Sequence, residues 1–162
     1  MPKSPKTFEF AIQLSPDYEE RAGVLFGNYD GSSKAQFNIE VYEKGVIRLF
    51  YRINDYSYSY YFTTDIRSNS VNYVTITLDK NVASLYVNGE YKESIVIDIV
   101  IPTILSDFHV GGDARTGITQ DFKGKLYNIN LFSDVRTEEE INQDILFVKE
   151  NADCLIYQNY FK

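Results

Sequence analysis

The sequence predicts an all-β fold, a two-sheet antiparallel jelly-roll sandwich with one short helix in the C-terminal half. Apolar and polar residues alternate in short segments separated by turn signals, which is the pattern of half-buried strands. Aromatic residues make up 15% of the 162 residues, with 14 Tyr and 11 Phe, and strands favour such rings. The helical period appears late, and no alternation of strands with helices indicates a parallel sheet.

Strand character recurs along almost the whole chain. Asn88-Gly89 is the strongest hairpin signal, because a type I′ turn needs positive φ at both central residues, and Lys44-Gly45, Asn54-Asp55 and Lys80-Asn81 are weaker versions. Segment 94–101 is apolar on both faces except for Asp98, which predicts a position deep between layers or beneath a loop. The predicted strands are 8–14, 23–27, 35–42, 46–52, 56–63, 73–79, 83–88, 91–101, 108–111, 125–132 and 154–161.

A capped helix follows the strand at 125–132. Thr137 and Glu140 have the spacing of a capping box, and Glu138 and Glu139 favour the positive end of a helix. Ile141 and Ile145 then lie on one helical face. We therefore expect an amphipathic helix that packs on the sandwich.

Composition limits the classes of partner. An apolar fraction of 44% excludes global disorder, and no apolar run approaches the roughly 18 residues of a membrane span, so no membrane insertion is expected. The formal charge of −7 disfavours nucleic acid and anionic lipid. Cys154 is the single cysteine, which excludes an internal disulfide, and we interpret it as a core residue.

The chain is expected to hold one domain. Residues 1–7 contain two prolines and no apolar stretch of an export signal, and we interpret them as a linker or scar. Residues 8–162 then form a single sandwich cut from a longer polypeptide. A sandwich of this length buries a sizeable core without cross-links.

Three segments carry a family resemblance. Residues 108–133 read as a hydrophobic strand, Gly111-Gly112, a loop, Phe-x-Gly-x-Leu and a strand that ends in Phe-Ser, and a short acidic helix follows. Residues 23–30 (GVLFGNYD) and 83–93 (ASLYVNGEYKE) fit the same order. The chain thereby resembles the laminin G-like branch of the concanavalin A-like lectin and glucanase superfamily. It departs at Ile12 and Tyr73, where relatives often have tryptophan, and at Tyr127, where many carry an aspartate.

The residue inventory argues against an enzyme. His109 is the only histidine and lies in a predicted strand, so we interpret it as structural, and one His with one Cys is too few for a zinc site. The glucanases of the superfamily carry Glu-x-Asp-x-x-Glu on one strand, and this sequence has no such strand. Glu138-Glu139-Glu140 is better explained as the stabilising start of a helix. No catalytic residues are predicted.

The first candidate ligand-binding surface is the segment 48–62. One face of a strand carries Tyr56, Tyr58, Tyr60 and Phe62, and the other carries Ser57, Ser59 and Tyr61. If the serines face outward, the tyrosines pack internally; if the tyrosines face outward, they offer flat surfaces to sugars, with Arg48 and Arg52 as hydrogen-bond donors on the adjacent strand. Alternation with Ile47, Leu49 and Tyr51 makes the arginine face the exposed one.

The second candidate is a loop rim. Asp113 and Arg115 offer polar groups to a ligand, and Asp30, Asp113 and Asp121 lie in turns of the kind that coordinate calcium through oxygen. Calcium at a loop rim is also what the resemblance implies. Acidic residues are equally good turn formers, which is the alternative explanation. No cofactor is required, and calcium is the candidate ion.

The resemblance implies a non-catalytic, lectin-like carbohydrate-binding module of a larger bacterial protein, located outside the cell or on its surface. Its expected partners are a glycan or glycoprotein and the other domains of the parent polypeptide. The alternative is a protein–protein adhesion or structural spacer module that binds no glycan. Fold alone does not decide between them.

Overall fold

The computed structural model, which describes residues 5–32, 34–98, 108–112 and 120–151, contains two antiparallel five-stranded sheets. Sheet A has the strand order β10-β1-β6-β7-β8, and sheet B has the order β5-β4-β3-β2-β9. The predicted sandwich is confirmed. The elements are β1 (Thr7–Gln13), β2 (Ala22–Gly27), β3 (Gln36–Tyr42), β4 (Val46–Ile53), β5 (Tyr56–Tyr61), β6 (Asn72–Asp79), β7 (Val82–Val87), β8 (Glu90–Val96), β9 (His109–Val110), β10 (Lys125–Phe132) and α1 (Glu138–Glu150).

The core lies between the sheets, where alternate residues of each strand point inward. From sheet A, Phe8 and Phe10 are almost completely buried, and from sheet B, Phe26 and Phe37. The ring centroid of Phe8 lies 5.6 Å from that of Phe26 and 6.0 Å from that of Phe37. This aromatic cluster joins the two layers, and the opposite face of each sheet is called its outer face below.

Two tight turns set the register of neighbouring strands. Asn88 and Gly89 have φ values of 54° and 80°, and Asn54 and Asp55 have values of 49° and 68°. Positive φ at both central residues is the type I′ conformation that the sequence predicted. The Asn54-Asp55 turn pairs Ile53 with Tyr56, and it thereby fixes which residues of β4 and β5 share a face.

Several predicted bounds differ from the structure. β8 ends at Val96 and forms an edge of sheet A, where Val96 is exposed. The expectation that residues 94–101 lie deep in the fold is therefore wrong for residues 94–98, although Ile97 is buried. The reason is that an edge strand has a neighbouring strand on one side only. Asp98 is exposed. Residues 99–101, the predicted strand 154–161 and Cys154 lie outside the described residues.

The sheet begins one residue earlier than predicted. The backbone N–H of Lys6 donates to the carbonyl of Phe132, and its own carbonyl accepts from Leu78. Thr7 is the first residue of β1 and is fully buried. Lys6 therefore already bridges β10 and β6.

Helix α1 covers the outer face of sheet A. The capping box is confirmed, since the Glu140 N–H donates to Thr137 Oγ1 over 3.2 Å and the Thr137 N–H donates to Glu140 Oε2 over 2.8 Å. Ile145 and Val148 line a small cavity together with residues of β1, β6 and β10. Among the described residues, no helix is long and apolar enough to cross a membrane.

A buried carboxyl group lies under this helix. Glu9, on the outer face of β1, is 7% exposed. Burial raises its pKa to about 8, and the hydrogen bond and charge of Asp144 add to the rise, while Asn130 and Arg136 oppose it. Arg136 Nη2 lies 2.7 Å from Asp144 Oδ1. The cation in this cluster is therefore paired mainly with Asp144, and Glu9 holds its proton at neutral pH.

Candidate functional site

The outer face of sheet B has no helix among the described residues, and it carries polar groups in rows across the strands. Three rows follow from the register: Asn38-Phe50-Ser59, Glu40-Arg48-Tyr61 and Gln36-Arg52-Ser57. Each row takes one residue from β3, one from β4 and one from β5. The face therefore has a middle row of Asn38, Phe50 and Ser59. The charged row of Glu40, Arg48 and Tyr61 lies on one side of it, and the serine hydroxyls lie along β5.

A buried ion pair lies in one row of this face. Glu40 is only 1% exposed, and Arg48 Nε donates to Glu40 Oε2 over 2.6 Å while Arg48 Nη2 pairs with the same oxygen. Asn38 Nδ2 donates to Glu40 Oε1 over 3.1 Å. Both carboxylate oxygens thus have donors, which is the condition for burying a charge.

Aromatic rings surround the Arg48 guanidinium. Its central carbon lies 4.5 Å from the Tyr42 ring centroid and 5.4 Å from that of Phe50. Tyr61 contacts Tyr42 edge to face with the centroids 5.3 Å apart, and it is 42% exposed. These cation–π and edge-on contacts hold the rings in fixed orientations. Tyr61 provides the most exposed ring of this group.

Arg52 is held by a second set of contacts. Its Nη1 donates to the Tyr29 hydroxyl over 2.8 Å, and its Nη2 donates to Asp55 Oδ1 over 3.1 Å. The Tyr29 ring packs edge to face on Phe50, with centroids 5.1 Å apart. The loop after β2 and the turn after β4 therefore both fix the guanidinium.

The loop after β2 is tied to β3 by side-chain hydrogen bonds. Asp30 Oδ1 accepts from the Ser32 N–H over 2.8 Å and from Gln36 Nε2. The Ser32 side chain, the Ser32 N–H and Gln36 together lower the pKa of Asp30 to about 2. Asn38 Oδ1 accepts from the Tyr29 N–H over 3.2 Å. A Cβ on Gly27 would overlap Asn38 Oδ1, so this close approach requires glycine.

The predicted tyrosines do not share a surface with the predicted arginines. Tyr56, Tyr58 and Tyr60 pair with Ile53, Tyr51 and Leu49, which are on the opposite face from Arg48 and Arg52. The arrangement of tyrosines and arginines as one platform is therefore wrong, because a two-residue turn fixes the register. The serines face outward, as one interpretation expected, and the Tyr60 hydroxyl accepts from the Asp98 N–H over 3.1 Å. Tyr56 remains 70% exposed because β5 is an edge strand.

The loop-rim residues are described only in part. Asp30 accepts hydrogen bonds from Ser32 and Gln36. The backbone of Asp121 forms an isolated β-bridge with Val24, and its side chain lies close to Gly112. Asp113 and Arg115 lie outside the described residues. Within the described ranges, no group of three or more His, Cys, Asp or Glu residues is placed to hold a metal ion. The calcium site and the loop ligand site stay predictions.

The sequence interpretation missed Glu40, Tyr42, Tyr61, Asn38 and Tyr29. A usable signal existed for the first three. The Lys44-Gly45 turn pairs Tyr42 with Val46 and hence Glu40 with Arg48. The Asn54-Asp55 turn, by the same alternation, pairs Tyr61 with Arg48. The contacts of Tyr29 depend on the path of a loop, which no local pattern gives.

An open depression of about 350 Å³ lies elsewhere, beside the ends of β1 and β10. Gln13, Ser68, Lys123 and Lys125 are among the residues that line it. None of its described lining residues is aromatic, and both lysines are exposed. The outer face of sheet B, with its rings and buried ion pair, is the more elaborate arrangement and the better candidate site.

Comparison with known proteins identifies a matching family model and solved structures with a similar fold. A family model of the concanavalin A-like lectin/glucanases superfamily, Laminin_G_3, matches residues 3–142, whereas no curated protein sequence matches. Among solved structures, the CBM40 of Ruminococcus gnavus IT-sialidase is 19% identical, with a TM-score of 0.69 over 88% of this chain and 83% of that one. The same CBM40 bound to α2,3 sialyllactose gives 21% identity and a TM-score of 0.66 over 88% and 84%.

The binding domain of botulinum neurotoxin serotype D also has this fold. It is 20% identical, with a TM-score of 0.62 over 91% of this chain and 36% of that one. At these identities the structural likeness shows a shared sandwich, and the family model covers most of the chain. The chain belongs to the concanavalin A-like lectin/glucanases superfamily.

Proposed function

We propose that this domain is a non-catalytic carbohydrate-binding module whose ligand lies on the outer face of sheet B. The observation that carries the proposal is the ring group of Tyr42, Phe50 and Tyr61 around the Glu40–Arg48 pair. Sugars present flat C–H faces that pack on aromatic rings and hydroxyls that need hydrogen-bond partners. Rings beside the exposed hydroxyls of Ser57 and Ser59 supply both.

The comparisons support the proposal at the level of the class of protein. One structural neighbour is described as a CBM40 bound to sialyllactose, and another is a neurotoxin binding domain. A non-catalytic role agrees with the geometry of Glu40, which Arg48 and Asn38 already engage at both oxygens. A carboxylate held in this way is a poor general acid or nucleophile toward a sugar.

The setting that we propose is extracellular or at the cell surface, as part of a larger protein. The partners would then be glycans or glycoproteins and the other domains of the same polypeptide. The charge of −7 disfavours nucleic acid as a partner. Calcium at Asp30, Asp113 and Asp121 remains part of the proposal for the loop rim.

A protein–protein adhesion module is the second candidate function. Tyr56 and Tyr58 are exposed on β5, which is an edge strand of sheet B. Edge strands offer backbone hydrogen-bonding groups to an extended partner, and exposed aromatic side chains add contact area. Glycan binding that depends on Tyr58 rather than Tyr61 would place the site on this side of the strand.

A glycan array tests the proposal, with the purified domain applied in calcium-containing buffer and again with a chelator. We expect Tyr61→Ala to weaken binding about fivefold or more, because an aromatic contact is worth about 1 kcal/mol. Tyr91→Ala, on sheet A, is the matched control and should bind normally. A folded domain that binds no glycan under either condition would refute the proposal, and loss of binding with the chelator would support the calcium site.

A further inference from the structure

We infer that the outer face of sheet B selects neutral glycans over anionic ones. The inference rests on the proposed function and adds the chemical class of the ligand. Its basis is that both arginines of β4 are already paired with carboxylates of this chain, while the exposed Arg21 at the edge of the face donates to the Tyr42 hydroxyl over 3.5 Å. An acidic sugar gains most from a guanidinium that is free to form two parallel hydrogen bonds.

The positive charge of Arg48 is balanced by the buried carboxylate of Glu40. Its Nε and Nη2 are both directed at Glu40, and its flat faces lie against Tyr42 and Phe50. The arginine side chain is only 13% exposed. To offer an anion the two parallel hydrogen bonds of its Nε–Nη2 edge, it would have to release a buried carboxylate that has no other cation in the described contacts, which is unfavourable.

The positive charge of Arg52 is balanced by the exposed carboxylate of Asp55. One terminal nitrogen donates to the Tyr29 hydroxyl and the other to Asp55. Its Nε is buried and has no hydrogen-bond partner among the described residues. A ligand carboxylate near this guanidinium would therefore also lie near Asp55, and the repulsion would offset the attraction.

The groups that remain accessible suit a neutral ligand. Tyr61, Ser57 and Ser59 are exposed at the rim of the face, next to the partly exposed Phe50. Hydroxyl groups and rings bind neutral polyols without demanding a counter-charge. The negative charge of the whole chain further disfavours the approach of an anion.

Matched glycan pairs test the inference. Each pair has a neutral glycan and the same glycan extended by sialic acid or by a uronic acid, and affinities are measured by surface plasmon resonance at low and at physiological salt. We expect the neutral member to bind at least about threefold more tightly. Tighter binding of the acidic members would overturn the inference and leave the proposed function standing. Binding of neither member would refute the proposed function, and the inference with it.

Asp55→Asn gives a sharper test. Asp55 is exposed in a turn at a φ of 68°, a conformation that asparagine also tolerates. The change should free Arg52 and shift the ratio of acidic to neutral binding about three- to fivefold toward the acidic glycan, the range of an exposed ion pair. Asp79→Asn, at the end of β6 in sheet A, changes net charge equally and should leave the ratio unchanged. An unchanged ratio in Asp55→Asn, or an equal shift in both variants, would overturn the inference.

Discussion

The outer faces of the two sheets each bury a glutamate, and they do so in different ways. Glu9 of sheet A lies under helix α1 with its pKa raised to about 8, so it is neutral. Glu40 of sheet B lies in an ion pair with Arg48. A face closed by the apolar side of a helix stabilises the uncharged carboxyl, whereas the face that has no such cover among the described residues keeps the charge and supplies the cation.

The same comparison distinguishes an outer face that packs against a helix from an outer face that stays accessible to a ligand. On sheet A, Ile141, Ile145 and Val148 of α1 are buried, so little of that face remains for a ligand. On sheet B, polar side chains fix one another and leave rings and hydroxyls at the surface. Four changes would break or sharpen this contrast, and they are taken in order of expected size.

Arg48→Met should cause the largest loss of stability. It leaves Glu40 buried without its cation, and removal of one partner of a buried pair costs about 3–5 kcal/mol. Urea denaturation followed by circular dichroism measures the loss. Lys92→Met removes one partner of the exposed Lys92–Glu90 pair and should cost less than about 1 kcal/mol. Equal losses in the two variants would show that Glu40 does not depend on Arg48.

Ile145→Ala should weaken the cover of sheet A. The side chain is 8% exposed and lies in the interface with the sheet, so its truncation should cost about 2–3 kcal/mol. Leu146→Ala is the matched control, because Leu146 is exposed and should lose less than about 0.5 kcal/mol. Thermal unfolding of both variants measures the two losses of stability. Similar losses would contradict the docking of α1 through Ile145.

Glu9→Gln should change the pH dependence of stability. The folded state keeps the proton of Glu9 up to a pKa of about 8, while the unfolded state loses it near 4.5, so the contribution of Glu9 to stability is greatest below pH 4.5 and declines as pH rises to 8. Glutamine stays neutral, so the free energy of unfolding of the variant relative to that of the native protein should rise by about 1–2 kcal/mol between pH 6.5 and 8, at about 1.4 kcal/mol per pH unit below the folded pKa. Urea titrations at pH 5, 6.5 and 8 measure the difference.

The control for that titration is Glu139→Gln, an exposed glutamate of α1. It should follow the native pH dependence. If Glu9→Gln and the native protein lose stability in parallel between pH 5 and 8, Glu9 is ionised in the fold and the contrast with Glu40 fails.

Thr137→Ala should have the smallest effect of the four. It removes the side-chain oxygen that accepts from the Glu140 N–H, and loss of such a cap costs about 1 kcal/mol. Thr137→Ser keeps the oxygen and should restore most of the stability. Thermal unfolding compares the three proteins. A full loss in the serine variant would mean that the methyl group, rather than the cap, is what matters.

Much of the fold is encoded locally. The Asn88-Gly89 turn, the capping box at Thr137 and the alternation of β4 were predictable because each depends on a few neighbouring residues. The outward face of the arginines followed from the buried Ile47 and Leu49. The error at Tyr56, Tyr58 and Tyr60 arose because tyrosines and serines alternate along β5 and both sets are largely exposed in the structure, so the pattern alone did not say which set shares a face with Arg48 and Arg52.

The sequence by itself determined most of the strands in the described ranges, the turns between them and the start of the helix, because these depend on backbone preferences over a few residues. Only the tertiary structure decided the state of the charges. Glu9 meets Asp144 of the distant helix α1 and Arg136, which lies just before that helix, and Arg52 meets Tyr29 from a loop. Solvation of a carboxylate depends on everything packed around it, and chain segments far apart in sequence supply that environment.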